Sequence, residues 1–206
     1  STPAVKVMSD NSFNASGLTM DRGEHLKVFL TGPPGIGKST VLQRVDRALR
    51  AKGHKVGGVY CPEIREGRTR IGFEIVDVAS GQRGILSKVG SHGKSRVGKY
   101  VVNLEDLTRI GVNALDSAAR EADIILIDEI GPMEMQGIDF QKAVLNVVDG
   151  PKPVVGIIHW RMQHPVIVTI KGRSDVIVLE VSIQNREELQ DEILRELSKT
   201  LKKAMF

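Results

Sequence analysis

The chain has 206 residues, of which 41% are hydrophobic and 26% are charged, and its formal net charge is +4 at pH 7. This length allows one well-buried core and is short for two full domains. The single cysteine, Cys61, excludes an intrachain disulfide and fits a reducing compartment. No apolar run reaches the roughly 20 residues of a membrane span, and no secretion signal is recognisable, so we expect a cytoplasmic protein that does not bind membranes.

The N-terminal part of the chain divides into a tail and the start of a domain. Residues 1–24 are rich in Ser, Asn, Asp and Gly and lack hydrophobic periodicity, which predicts a disordered tail. Residues 25–206 then form a single domain. Its first element is a short apolar strand at 25–31 (HLKVFLT), and apolar residues at helical spacing predict a helix over 37–52.

From the end of this strand into the start of this helix runs GPPGIGKST, which matches the phosphate-binding pattern G-x-x-x-x-G-K-[ST] without a mismatch. Its glycines let several backbone N–H groups point into one concavity, and the following helix adds the positive end of its dipole. Lys38 can reach the terminal phosphates, and the hydroxyl of Ser39 can bind Mg²⁺. The predicted nucleotide-binding residues of this loop are Gly32, Pro33, Pro34, Gly35, Ile36, Gly37, Lys38, Ser39 and Thr40.

A second strand is predicted at 55–60, and the polar, basic passage after it predicts two antiparallel strands over 64–78 that turn near Gly67. Three arginines flank this turn. An arginine that offsets the charge on a transferred phosphoryl group contributes ~10³ to 10⁵ in rate, and the alternative is a solvated basic hairpin. The three candidates are Arg65, Arg68 and Arg70.

The middle of the chain combines a basic, glycine-rich passage with a helix. Residues 80–100 carry five glycines and five cationic residues, which predicts a mobile loop able to close over phosphates. Asn103 is the predicted N-cap of a helix that ends near Glu121. The almost continuously apolar run at 123–128 (DIILID) predicts a buried parallel strand.

Two carboxylates stand at the end of that strand. Asp128 emerges where the loop would hold phosphates, so it can bind Mg²⁺ directly or through water. Glu129 beside it can polarise an attacking water, which hydrolysis of a triphosphate requires. The alternative interpretation is a solvated acidic pair at a strand end.

The remaining elements alternate between helix and strand. A helix is predicted at 139–148 and strands at 154–159 and 176–181, while HPVIVTIKGR between them fits either a strand or a short helix. Such alternation implies an α/β fold whose ligand lies at the carboxyl ends of the strands.

The last predicted helix begins after SIQNRE. Arg186 could stack on a base and Asn185 could hydrogen-bond it, but Asn185 with Glu188 also fits a capping box. The chain has no N-K-x-D stretch, which in guanine-selective enzymes fixes the base, so we expect loose base selectivity.

Four stretches together, GPPGIGKST, GVYCPEIREGRTRIGFEIVDV, RVGKYVVNLEDL and LIDEIGPMEM, resemble the small nucleoside-triphosphatase family first described from thermophiles. The resemblance runs from about residue 26 to 197. It implies a three-layer, RecA-like P-loop NTPase fold with a mainly parallel central sheet and an added β-hairpin. It also implies Mg²⁺-dependent hydrolysis of ATP, GTP, CTP and UTP, with Asp128 on the metal and Glu129 on the water. The three hairpin arginines become better candidates for the edge of the active site.

Two other functions fit the same residues. A kinase could use Glu63 to position an acceptor hydroxyl, and a nucleotide-gated binding module could use slow hydrolysis as a timer. Nucleic acid is a conceivable partner, but aromatic residues make up only 4% of the chain and no basic aromatic platform is visible. We expect a monomer. The stretch IIHWRMQHP departs from the family pattern through the bulky Trp160.

Overall fold

The structure is a computed structural model that describes residues 26–203, with side chains described to residue 201. The predicted disordered tail therefore lies outside the described residues. In chain order the elements are β1 (Lys27–Thr31), α1 (Lys38–Ala51), β2 (Val56–Tyr60), β3 (Glu63–Glu66), β4 (Thr69–Asp77), β5 (Arg83–Val89), β6 (Arg96–Val97), β7 (Tyr100–Val102), α2 (Leu104–Asp106), a π-helical turn (Leu107–Val112), α3 (Asn113–Glu121), β8 (Ile124–Ile130), a 3₁₀ turn (Glu134–Gln136), α4 (Ile138–Asp149), β9 (Val154–Ile158), α5 (Pro165–Lys171), β10 (Val176–Glu180) and α6 (Arg186–Lys203).

Five strands form the parallel half of one ten-stranded sheet, in the order β10-β1-β9-β8-β2. Each of these strands is apolar on both faces, because helices cover both sides of the sheet. In β8, Ile124 and Leu126 pack with α1 and α6, whereas Ile125 and Ile127 pack with α3 and α4. The sheet is thus the middle of three layers. Because β9 separates β1 from β8, the carboxyl ends of these three strands open side by side.

The other half of the sheet is antiparallel and continues from β2 through β4, β5, β7 and β6, with β3 paired to β4. The predicted hairpin is confirmed, and Gly67 at its turn has a φ of +58°. The prediction of a mobile loop at 80–100 is wrong, because β5 is hydrogen-bonded on both sides and buries Leu86. Glycine serves here for close packing: a Cβ at Gly84 would lie 2.7 Å from the Asp106 carboxylate.

The helices follow the predicted apolar spacing. Asn103 caps the helical segment that ends at α3, since its side chain accepts the Asp106 N–H at 3.0 Å. The ambiguous stretch before β10 is helix α5, which has Pro165 in its first turn and buries Val166, Ile167 and Ile170. No helix within residues 26–203 is both long and apolar enough to cross a membrane.

Candidate active site

The loop between β1 and α1 uses the conformations that only glycine adopts freely. Gly32, Gly35 and Gly37 have φ values of 137°, 76° and 108°. A Cβ at Gly32 would lie 3.1 Å from the Val181 carbonyl oxygen, so the end of β10 also leaves little room for a side chain. Lys38 begins α1, and its Nζ donates to the carbonyl oxygens of Gly32 and Pro33 at 2.7 and 2.8 Å. The loop thus forms a curved backbone around its own lysine.

The first turn of α1 meets the end of β8 through one hydrogen bond. The Ser39 hydroxyl donates to Asp128 Oδ2 at 2.8 Å, across 89 residues of sequence. Burial raises the pKa of Asp128 to about 7; the Ser39 hydrogen bond opposes this shift and the Glu129 charge adds to it. The structure therefore brings together the two residues that the sequence assigned to a metal ion.

Glu129 follows Asp128 and lies close to the positive charge of Lys38. Burial raises the pKa of Glu129, and Lys38 opposes that shift. Its carboxylate packs against Gly131, where a Cβ would approach Oε1 to 2.5 Å. A larger residue at position 131 would displace this carboxylate.

Glu134, which no sequence motif predicted as a site residue, lies in the 3₁₀ turn after β8 and is 4% exposed. Burial raises the pKa of Glu134 well above its usual range, and the charge of Glu129 adds to this effect. Backbone N–H groups of Gly131 and of Glu134 itself stabilise the carboxylate. The only sequence signal was one acid between two methionines in the segment PMEM.

Two of the three hairpin arginines bind side chains of the antiparallel half of the sheet. Arg65 and Arg70 form ion pairs with Glu63 at 2.6 and 3.2 Å, and the Arg70 guanidinium also donates to the Tyr100 hydroxyl at 3.0 Å. The Arg70 guanidinium stacks 5.0 Å from the Phe73 ring centre. Burial acts to raise the pKa of Glu63, but the two arginines outweigh it and lower that pKa. Arg68 occupies the exposed turn.

The loop before α6 does not form the predicted capping box. The Asn185 side chain accepts the Ser182 N–H at 2.7 Å and donates to the Glu180 carbonyl, and Ser182 Oγ accepts the Asn185 N–H. The reciprocal pair thus falls three residues earlier than predicted, with Ser182 in place of Glu188. Both ends of the Asn185 amide are engaged in holding this loop.

Arg186 lies against the phosphate-binding loop. Its Nη1 donates to the Ile36 carbonyl oxygen at 3.4 Å, and a Cβ at Gly37 would lie 3.5 Å from both its Cδ and its Nη1. The guanidinium is therefore beside the loop amides, at the start of α1. Trp160, the unusual residue of the stretch after β9, is stacked with the Arg161 guanidinium at 4.0 Å from the ring centre.

Comparison with known proteins identifies the family. The family model for NTPase matches residues 27–194. The chain belongs to the NTPase family. It is 45% identical over 168 residues to nucleoside-triphosphatase THEP1 of Methanopyrus kandleri, covering 81% of this chain and 92% of that protein. It is 41% identical over 169 residues to the THEP1 of Thermotoga maritima, covering 82% and 94%.

Two NTPase structures support the same assignment. The crystal structure of THEP1 from Aquifex aeolicus superposes with a TM-score of 0.74 at 30% identity and covers 84% of this chain and 99% of that one. The solution structure of a human cancer-related nucleoside triphosphatase gives a TM-score of 0.69 at 36% identity, covering 82% and 96%. The predicted family and the predicted P-loop α/β fold are both confirmed.

Proposed function

We propose that this NTPase hydrolyses ATP, GTP, CTP and UTP to nucleoside diphosphate and phosphate, with Mg²⁺ and with little selection for the base. One observation carries the proposal: the Ser39–Asp128 hydrogen bond joins the glycine loop to the acidic end of β8. The hydrogen-bond donors for the phosphates, the metal ligands and the carboxylate that activates water then lie at one edge of the sheet. Relatives named nucleoside-triphosphatases support the reaction class.

The oxygen atoms present fit Mg²⁺. The Ser39 and Asp128 oxygens are 2.8 Å apart, close to the spacing of about 3 Å between neighbouring ligands in an octahedron with ~2.1 Å bonds. Within residues 26–203 no cluster of three His, Cys, Asp or Glu side chains could hold a metal. That suits Mg²⁺, which is usually bound by one or two protein ligands together with substrate phosphates and water. When bound, Mg²⁺ supplies charge neutralisation on the phosphates.

The protein groups then have separate tasks. The loop amides and the N-terminus of α1 bind phosphate oxygens, and Lys38 exchanges its two loop carbonyls for the terminal phosphates. Glu129 orients the attacking water and accepts its proton as the water oxygen bonds to the γ-phosphorus, while the bond from the γ-phosphorus to the β–γ bridging oxygen breaks and releases the nucleoside diphosphate. Because Lys38 opposes protonation of Glu129, the same lysine helps to keep that carboxylate available as a base.

The kinase alternative has less support. An acceptor-positioning carboxylate must be free to bind a hydroxyl, whereas Glu63 is held by both Arg65 and Arg70. These ion pairs favour a structural role for Glu63. Water is therefore the acceptor in the proposed reaction.

The test is phosphate release from ATP, GTP, CTP and UTP with Mg²⁺ and without an added acceptor. The wild type should release phosphate from all four, and Glu129→Gln should bind nucleotide normally while its kcat falls by at least ~100-fold. Glu105→Gln, an exposed change on α2, serves as the control and should behave as wild type. Tight binding without release by the wild type would contradict the proposal and favour a kinase or a switch.

A further inference from the structure

His159 follows the last residue of β9 and is fixed between the two strands that carry the site. Its backbone N–H donates to the Ile130 carbonyl oxygen of β8 at 3.0 Å. On the other side, Thr31 Oγ1 of β1 donates to the Ile158 carbonyl at 2.9 Å. Neighbouring strands lie about 4.8 Å apart, so His159 is one strand away from both the glycine loop and the acidic pair.

The imidazole has a defined orientation. Its Nδ1 accepts the backbone N–H groups of Arg161 and Met162, at 3.3 and 3.1 Å. An imidazole nitrogen that accepts hydrogen bonds carries no hydrogen, so the neutral ring has its hydrogen on Nε2. Burial lowers the pKa of His159, and the charges of Lys171 and Lys38 lower it further. The ring is therefore a neutral donor within electrostatic reach of the loop lysine.

Lys171, the last residue of α5, holds this segment in place. Its Nζ donates to the carbonyl oxygens of His159 and Trp160 at 2.8 and 3.1 Å. Burial lowers the pKa of Lys171, and the two carbonyl groups take up hydrogen bonds that solvent would otherwise make. The turn after β9 is thus tied to α5 as well as to β8.

We propose that His159 contacts the terminal phosphate of the bound triphosphate through Nε2–H, and that Lys171 positions it by holding its backbone. The inference rests on the proposed function. Lys38 reaches the terminal phosphates in loops of this type, and His159 follows β9, the strand paired with β1, at the same sheet edge. A hydrogen-bond donor to the terminal phosphate distinguishes a triphosphate from a diphosphate, because the diphosphate lacks that phosphate. His159 would thereby favour substrate over product.

Two substitutions separate contact with phosphate from support of the turn. In His159→Gln the side-chain amide reaches the position of Nε2, whereas in His159→Asn it reaches only that of Nδ1. The measurement is calorimetric binding of Mg²⁺-ADP and of Mg²⁺ with a non-hydrolysable imido analogue of ATP. His159→Asn should lose about 10- to 100-fold in affinity for the analogue, as expected for a hydrogen bond to a charged group, with ADP affinity unchanged. His159→Gln should retain most of the wild-type affinity for the analogue.

If Lys171 positions His159, removing its charge should lower the affinity for the analogue, but by less than His159→Asn does. Lys171→Met should weaken analogue binding by about 3- to 10-fold, without changing ADP binding. His164→Asn is the matched control, because His164 Nδ1 also accepts a backbone N–H, that of Val166, but caps α5. It should leave both affinities unchanged. A purely structural role predicts the reverse pattern, with Gln impaired, Asn normal and both nucleotides affected equally.

The wild type offers a readout that does not depend on folding of the variants. In imidazole ¹H–¹⁵N spectra, the His159 Nε2–H should become protected from exchange with the analogue but not with ADP. Equal spectra with both nucleotides would overturn the inference. If the wild type also released no phosphate from any triphosphate, the proposed function would fail with it; release with unchanged spectra would remove the His159 assignment alone.

Discussion

Three carboxylates within seven residues, Asp128, Glu129 and Glu134, have different surroundings, and we therefore expect different roles for them. Asp128 accepts a hydrogen bond from Ser39, which orients one oxygen towards the start of α1. Glu129 faces the charge of Lys38. Glu134 is buried and held by backbone N–H groups, so it is the group least able to contact a ligand.

Arg186 provides a test between base contact and phosphate contact. Because its guanidinium lies against Ile36 and Gly37, we expect Arg186→Ala to raise KM for ATP about tenfold, as loss of a charge-assisted hydrogen bond would. Inhibition by inorganic tripolyphosphate, which has no base, should weaken equally. Stacking on the base would instead weaken ATP alone. Arg195→Ala, an exposed arginine on the same helix, is the control.

At the level of elements, the sequence predicted the helices and strands whose apolar pattern reflects burial. It missed the elements whose structure depends on the residues packed against them. β1 and β8 are short apolar runs, and α1 has apolar residues at helical spacing, so all three elements could be predicted from the sequence. β5 was mistaken for a loop, since its glycines look like flexibility but serve close approach to Asp106. The Ser39–Asp128 contact followed from two motifs. His159 did not, because a lone histidine becomes a candidate only once β9 is seen between β1 and β8.

The β3–β4 hairpin carries the next prediction. Arg70 binds Glu63 and Tyr100 and stacks on Phe73, so Arg70→Ala should lower Tm by about 2–5 °C, as loss of one or two weak contacts would. We expect kcat to change less than about threefold, because the contacts of Arg70 belong to the hairpin and to β7. Arg68→Ala at the exposed turn should leave Tm unchanged. A loss of kcat beyond about 100-fold in either variant, at unchanged Tm, would identify a catalytic arginine instead.

For the molecule as a whole, the site is built at a cost in stability. Helices on both faces bury the parallel half of the sheet, and the carboxyl ends of β1, β9 and β8 then lie side by side at one edge. Placing Asp128 and Glu129 side by side at that edge combines desolvation with like-charge repulsion. Such arrangements are expected at active sites rather than in structural parts of a fold.

This cost predicts a pH-dependent stability of the metal-free protein. The pKa of Asp128 rises from 3.8 to about 7 on folding, so between these values the native state binds more protons than the unfolded state. Its contribution to the free energy of unfolding therefore falls as pH rises from about 3.8 to about 7, and it stays at its low value above that range. In EDTA at pH 8, Asp128→Asn should have a Tm at least about 2 °C above wild type, although it loses turnover. The difference should shrink towards pH 5, where the wild-type carboxyl is neutral, and the exposed change Asp191→Asn should show no such trend. An equal or lower Tm for Asp128→Asn at pH 8 would contradict this prediction. It would mean that Ser39 and Lys38 already compensate the charge of Asp128, so that this carboxylate does not destabilise the metal-free protein.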